Sequence, residues 1–287
     1  MGWRDALAAD ARAAVSTIFE LQGEANAASS ALDHVITDSL GLDTGPKAGV
    51  VLPPLGRWSP PGELERGRLA IRGLASAALA GRKTAIVAAR SGDEDVVVAL
   101  ATADLTLRPV RGLDPWLGLV EVSGEVLGAG ADPRRVEWAP AVARGQLALG
   151  HELVGASRKM LALAREHALQ RIQFGRTIST FQAIRHRLAD TLVAIETADA
   201  VLGAAWEDGS AQTAAMAKAL AGRGARTVVR HCQQVLAGIG FTTEHTLHRY
   251  IRRVLVLDQL MGSTRALTHE LGAELLRTKQ LPPLLPL

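Results

Sequence analysis

The chain has 287 residues, 48% apolar and 21% charged, a composition that buries a sizeable core and excludes a tail or linker. Its net charge of +3 is spread over interspersed acids and bases with no Lys/Arg block or aromatic-interleaved basic stripe, which argues against a nucleic-acid platform. Cys232 is the single cysteine, Met1-Gly2-Trp3 lacks a signal-peptide layout, and no apolar run approaches the ~20 residues of a membrane span, so a cytoplasmic protein without membrane contact or an internal disulfide is expected.

Leu7, Ala11, Val15 and Phe19 fall at helical spacing, and Leu32, Val35 and Leu40 follow after a polar break, predicting two helices over residues 1–62. The doubled prolines Pro53-Pro54 and Pro60-Pro61 around Trp58 mark a loop. Beyond it the texture changes. Runs at 68–72, 84–88, 95–100, 105–109 and 119–122 are rich in β-branched residues and separated by turn signals, predicting a small antiparallel barrel or sandwich over 63–135 with a hairpin at Ser91-Gly92-Asp93-Glu94.

After Asp132-Pro133 the spacing is helical to about Thr278, broken at 174–177, 207–210 and 238–240. Leu147, Val154 and Leu161 share one face, Ile184, Leu188 and Ile195 a second, and Leu220, Val228 and Val235 a third. Two shorter helices follow, around 245–257 and through Leu267, Leu271 and Leu275. An antiparallel bundle over 136–280 buries all these stripes, and the Leu/Pro-rich tail ending at Leu287 is left outside it. The fold class is therefore α+β, mostly α. Aromatics make up only 3% of the chain, so small aliphatic side chains must fill the helix contacts.

Several chemistries drop out. No phosphate-binding P-loop or strand-borne Gly-x-Gly-x-x-Gly is present, and Ser157, Ser179 and Ser210 are not set in a nucleophile elbow. His245 and His248 have i, i+3 spacing, but Glu244 beside them does not complete a metal-ligand set, so no metal is expected.

Three stretches carry a family likeness. Arg171-Ile172-Gln173-Phe174-Gly175-Arg176 running on to Phe181-Gln182 resembles the segment joining the first two bundle helices of acyl-CoA dehydrogenases. Gln234 to His245, with Gly238-Ile239-Gly240, is similar to their glycine-containing turn, and Leu260-Met261-Gly262-Ser263 to their last turn. The resemblance implies a fold of shortened N-terminal helices, a β domain and a C-terminal bundle. It also implies FAD, with Arg171, Phe174, Gln182, Gly238 and Gly240 reaching the flavin of a neighbouring subunit. A rigid Arg fork suits a pyrophosphate, and glycines let backbone approach it.

The departures are equally specific. The Thr-Glu-Pro stretch and Trp-Ile-Thr-like strand that the family sets against the flavin ring are not recognisable between Gly62 and Arg135. Met261 occupies the usual position of the Glu that removes the α-proton of the acyl-CoA, and a thioether is no base. The alternative position, near the start of the first bundle helix, reads Ala143-Arg144-Gly145-Gln146, also without a carboxylate. Asp258, one turn before Met261, and Glu244 are the remaining candidates. The expected function is a subunit of a heteromeric acyl-CoA dehydrogenase, resembling those of actinobacterial steroid side-chain breakdown, that completes the FAD site of a related catalytic chain. A self-sufficient enzyme using Asp258 or another displaced carboxylate, and a flavin-free assembly subunit, stay open beside it.

Overall fold

A computed structural model of the chain describes residues 2–45, 47–128 and 133–280. Asp132, after which the helical half was expected, and the tail ending at Leu287 lie outside the described residues. Three helices come first, α1 (Trp3–Ala9), α2 (Ala11–Ala25) and α3 (Ala31–Ser39), where periodicity predicts two. Asp10 makes the difference: its backbone is extended (φ −154°, ψ 93°) and its side chain accepts from the Ala13 N–H, capping α2. Leu7, Ala11 and Val15 keep their spacing across it, so the apolar pattern does not register the break.

Eight strands follow: β1 (Ala48–Val51), β2 (Gly62–Glu65), β3 (Arg68–Ser76), β4 (Thr84–Ser91), β5 (Glu94–Ala101), β6 (Thr106–Pro109), β7 (Leu119–Leu127) and β8 (Arg134–Arg135). They form one sheet in the order β6-β7-β3-β2-β4-β5-β8, with β1 also on β4. The five β-branched runs are all strands, and Ser91 pairs with Glu94 at the expected hairpin. β1 and β2 both pair with β4 in parallel, which corrects the expected antiparallel domain to a mixed sheet. One face of the sheet closes over a core of its own that includes Val51, Leu69, Ile71, Val87, Val98 and Val122. Leu52, Leu74, Ile86 and Val97 instead join the core of the bundle, fastening the sheet to the helices.

The bundle consists of α4 (Trp138–Gln170), α5 (Gln182–Asp208), α6 (Ala211–Leu236), α7 (Leu247–Gln259) and α8 (Thr264–Thr278), the five helices expected, with a small hairpin of β9 (Ile172–Gln173) and β10 (Arg176–Thr177) between α4 and α5. α4, 33 residues long, is the central rod, almost wholly buried from Ala141 to Ser157. α2 crosses it so closely that a Cβ on Gly23 would stand 2.1 Å from the Glu152 carbonyl oxygen, and one on Gly155 would stand 2.0 Å from that of Glu20. Two glycines thus fix this crossing by backbone contact. The proline-rich loop is pinned from both sides, Trp138 Nε1 donating to the Trp58 carbonyl at 2.8 Å and Gly56 N–H to the Gln259 carbonyl at 2.8 Å. Among the described residues no helix is long and apolar enough to cross a membrane.

Candidate functional site

Two places gather the residues of interest: the open end of the bundle, and the turn between α7 and α8. At the open end α4 stops at Arg171, whose backbone turns extended (φ −71°, ψ 120°) and whose N–H still bonds the His167 carbonyl at 2.9 Å. β9 and β10 then reverse through Phe174 (φ 53°) and Gly175 (φ 75°). Two consecutive left-handed residues make a tight two-residue hairpin, and a phenylalanine in the first is an uncommon occupant. Phe174 is 91% exposed and meets Phe181 edge-on at 6.2 Å, while the Arg176 guanidinium lies 4.4 Å from the Phe181 ring centre. Gln182 opens α5, its amide 3.3 Å from His186 Nε2.

Arg171 and Gly238, 67 positions apart, come together on the wall of one cavity of about 480 Å³, with His167, Ile178, Leu236 and Ala237. Among the described residues no carboxylate lines it. Burial holds His167 below its ordinary value, helped by His245 and Arg171, so its ring is a neutral neighbour for Arg171 near neutral pH. Gly240 lies beneath, where a Cβ would stand 3.0 Å from that of Leu236, and its place is one of packing. A Cβ on Gly238 would meet nothing within 4 Å, so the backbone there stands open. Phe174 and Gln182 lie outside the cavity wall. Ala237 is the residue the sequence does not announce: it takes φ 52°, ψ −134°, a region usually left to glycine, and so turns the chain into the short 3-10 helix Ala237–Phe241 that carries Gly238.

At the second place Leu260 (φ −68°, ψ 133°) and Met261 (φ 53°) turn the chain, followed by Gly262 at φ 103°. Met261 has no exposed surface, and its sulfur fills the space left by Gly145, where a Cβ would stand 2.4 Å from Sδ. Gln146 Nε2 donates to the Met261 carbonyl at 2.9 Å. Lys218, fully buried on α6, donates to the carbonyls of Leu257, Asp258 and Gly262 at 3.0, 3.2 and 3.4 Å; burial pulls its ammonium down to about 8. Asp258 is 1% exposed and is tied up by the Thr264 hydroxyl, by the Thr264 N–H at 3.3 Å and by Arg226 at 3.5 Å.

Between sheet and bundle lies a cavity of about 540 Å³ whose apolar wall includes Trp58, Trp138, Val142 and Leu267. Gln146 lines it, as do three carboxylates, Asp95, Glu270 and Glu274. Glu274 is gripped by Arg277 at 2.6 Å and Asp95 is paired with Arg90 at 2.9 Å, which leaves Glu270, a residue with no distinguishing motif, as the carboxylate without an ion pair there among the described residues. Glu20, His151 and Asp199 bring ligand atoms within 4.8 Å of one another, but Arg158 already bonds both carboxylates and Trp206 occupies the second imidazole nitrogen, so the cluster is satisfied without a metal. His245 and His248 instead bond backbone at the start of α7.

A mixed sheet packed on a helix bundle is the acyl-CoA dehydrogenase fold, on which the solved structures superpose. Residues 139–276 match the family model described as acyl-CoA dehydrogenase, C-terminal domain, and the chain belongs to the acyl-CoA dehydrogenase family. It is 33% identical over 187 residues to acyl-CoA dehydrogenase IpdE2 of Mycobacterium tuberculosis, covering 63% of this chain and 57% of that protein. With acyl-CoA dehydrogenase FadE34 of the same organism it shares 32% over 179 residues, covering 59% of this chain and 24% of the relative. The matched stretches thus span about half of the first relative and less of the second. Among solved structures, the ChsE4-ChsE5 complex of M. tuberculosis superposes with a TM-score of 0.77 at 19% identity (98% of this chain, 88% of that one). The Tcur3481-Tcur3483 steroid ACAD superposes with 0.76 at 20% identity (93% and 82%). At these identities the two structures speak for the fold.

Proposed function

We propose that the chain is a subunit of a flavin-dependent acyl-CoA dehydrogenase assembly that contributes one edge of an FAD site to a related partner chain and brings no base of its own. The observation that carries this reading is the cavity at the open end of the bundle, whose wall joins Arg171 to the Ala237-Gly238 backbone with no carboxylate among the described residues that line it. Those residues fit a dinucleotide pyrophosphate: a fixed guanidinium supplies charge-assisted donors, and the open backbone at Gly238 permits close approach. FAD would supply the hydride-accepting ring in this chemistry; Arg171 and the Gly238 turn would hold its pyrophosphate, with Phe174 and Gln182 outside the cavity wall as further candidate contacts.

Met261 supports the second half of the proposal, since its side chain is packed into Gly145 and carries no titratable group. Asp258 is better read as the cap that joins α7 to α8 than as a base, because both its oxygens are engaged. The similarity to a ChsE4-ChsE5 complex and to a steroid ACAD favours a heteromeric setting and a steroid-derived acyl-CoA as the substrate of the whole assembly. The test is the flavin absorbance of the chain purified alone against that of the chain co-expressed with a related acyl-CoA dehydrogenase chain. Little flavin alone and stoichiometric flavin in the complex is the expected result. Stoichiometric flavin in the isolated chain, with acyl-CoA turnover lost in Glu270→Gln, would instead make it a self-sufficient enzyme whose base lies on α8.

A further inference from the structure

Where the N-terminal helices, the sheet and the bundle meet, one guanidinium holds all three. Arg253 on α7 has no exposed surface. Its Nε donates to Asp114 at 2.5 Å, its Nη1 to Glu152 at 3.2 Å and to the Ala27 carbonyl, and its Nη2 to the Asn26 carbonyl at 3.4 Å. Asp114 belongs to the loop between β6 and β7, Glu152 to the middle of α4, and Asn26 and Ala27 follow α2. The side chains of Asp114 and Glu152 are 0% and 2% exposed, so two carboxylates share one cation in a dry site. With both ionised, a negative charge is left over, and burial makes that surplus costly.

The groups facing Glu152 are few. Gln22 on α2 donates to it at 2.8 Å, Arg253 faces it from α7 and Asp114 from the loop; the Tyr250 hydroxyl, also on α7, is turned to the Glu24 carbonyl. The two carboxylates differ in freedom. Glu152 sits on a buried stretch of a 33-residue helix and has nowhere to go. Asp114 sits on a surface loop whose Leu113 and Trp116 are 60% and 61% exposed, with Trp116 resting under the Arg249 guanidinium at 5.3 Å. We propose that this junction is a proton-linked latch: while Glu152 carries a proton, Arg253 clamps the 110–118 loop onto the bundle, and loss of that proton lets Asp114 and its loop come away, leaving Arg253 paired with Glu152. Burial supports the assignment, pushing the Glu152 carboxyl up to about 7 despite Arg253, with Asp114 adding to the rise. Because the folded value lies above the ordinary 4.5, the clamp is complete below that value and is lost as pH rises through about 7.

Hydrogen exchange of the full chain reads the loop directly. The Val110 N–H is bonded to the Leu119 carbonyl and the Trp116 N–H to Asp114, so both amides report whether the loop is seated. After correction for intrinsic exchange rates, protection across 110–118 is expected to fall on the order of tenfold between about pH 6 and about pH 8. Glu152→Gln, a neutral isostere, should keep protection high and flat. Asp114→Asn, which leaves the Arg253–Glu152 pair intact, should remove the slope and serves if the first variant folds poorly. Asp33, also pushed up to about 7 by burial, lies at the α3–β1 seam, and Asp33→Asn should leave the loop's slope in place. A flat wild-type profile, an unchanged slope in Glu152→Gln or Asp114→Asn, or its loss in Asp33→Asn overturns the latch.

Discussion

Ala237 (φ 52°, ψ −134°) at the open end and Met261 (φ 53°) at the α7–α8 turn hold backbone conformations that their side chains do not favour. Each costs on the order of 1–3 kcal/mol and persists because neighbours over-determine it. At Met261 the neighbours are explicit: the sulfur is seated on Gly145, and Gln146 and Lys218 hold the surrounding carbonyls. That seat decides what a restored carboxylate would do. Met261→Glu places an acid in a fully buried, sulfur-shaped space with no cation aimed at it, so a loss of roughly 2–4 kcal/mol in stability is expected. No acyl-CoA turnover by this chain should appear, because a base accelerates only reactants already held in reactive geometry. Chemical denaturation and an assay with the partner's base removed check both statements. An unweakened variant with new turnover would mean that the side chain swings into the sheet–bundle cavity and that the site is intact apart from its base.

The α6 stripe Lys218, Gly222 and Arg226, spaced one turn apart, is the element that fixes the α7–α8 turn. Lys218 gathers three carbonyls, Arg226 pairs with Asp258, and Gly222 makes room for them: a Cβ there would stand 2.2 Å from Asp258 Oδ1 and 2.4 Å from Thr264 Oγ1. Gly222→Ala should therefore cost about 1–3 kcal/mol although alanine is the better helix former by about 1 kcal/mol. A calorimetric melt settles the sign, and a stabilised variant would show that the turn is free to shift. Elements such as α6 were legible in the sequence because one apolar stripe at 3.6-residue spacing is unambiguous over 26 residues. β1 was not, since all four of its residues are buried and a strand covered on both faces shows no alternation. Nor did β2 stand out, because Gly62 follows a double proline and reads as loop. At the site, the motifs supplied Arg171 and Gly238. The left-handed turn at Ala237, the sulfur seat on Gly145 and the satisfied state of Asp258 depend on contacts between segments distant in sequence, and no local pattern encodes them.

At the scale of the molecule, apolar surface is distributed unevenly. The open end of the bundle exposes Leu169 (51%), Ile172 (61%), Phe174 (91%) and Phe241 (72%) around the Arg171 cavity. Clusters of this kind mark interaction surfaces more often than isolated exposed residues do. On the proposed function this end is where the partner chain and the shared cofactor meet, and its two phenylalanines offer a clean separation of assembly from folding. Neither is buried in the isolated chain, so Phe174→Ser with Phe241→Ser should change its stability by no more than about 0.5 kcal/mol. Buried in an assembly, each ring is worth about 1.5–3 kcal/mol, so the double variant should weaken association roughly a hundredfold or more. Sedimentation of the co-expressed chains gives the association, and a thermal melt of the single chain controls for folding. Wild-type assembly by the double variant would place the subunit contact elsewhere on the chain, and Arg171 would then face solvent instead of a cofactor shared across subunits.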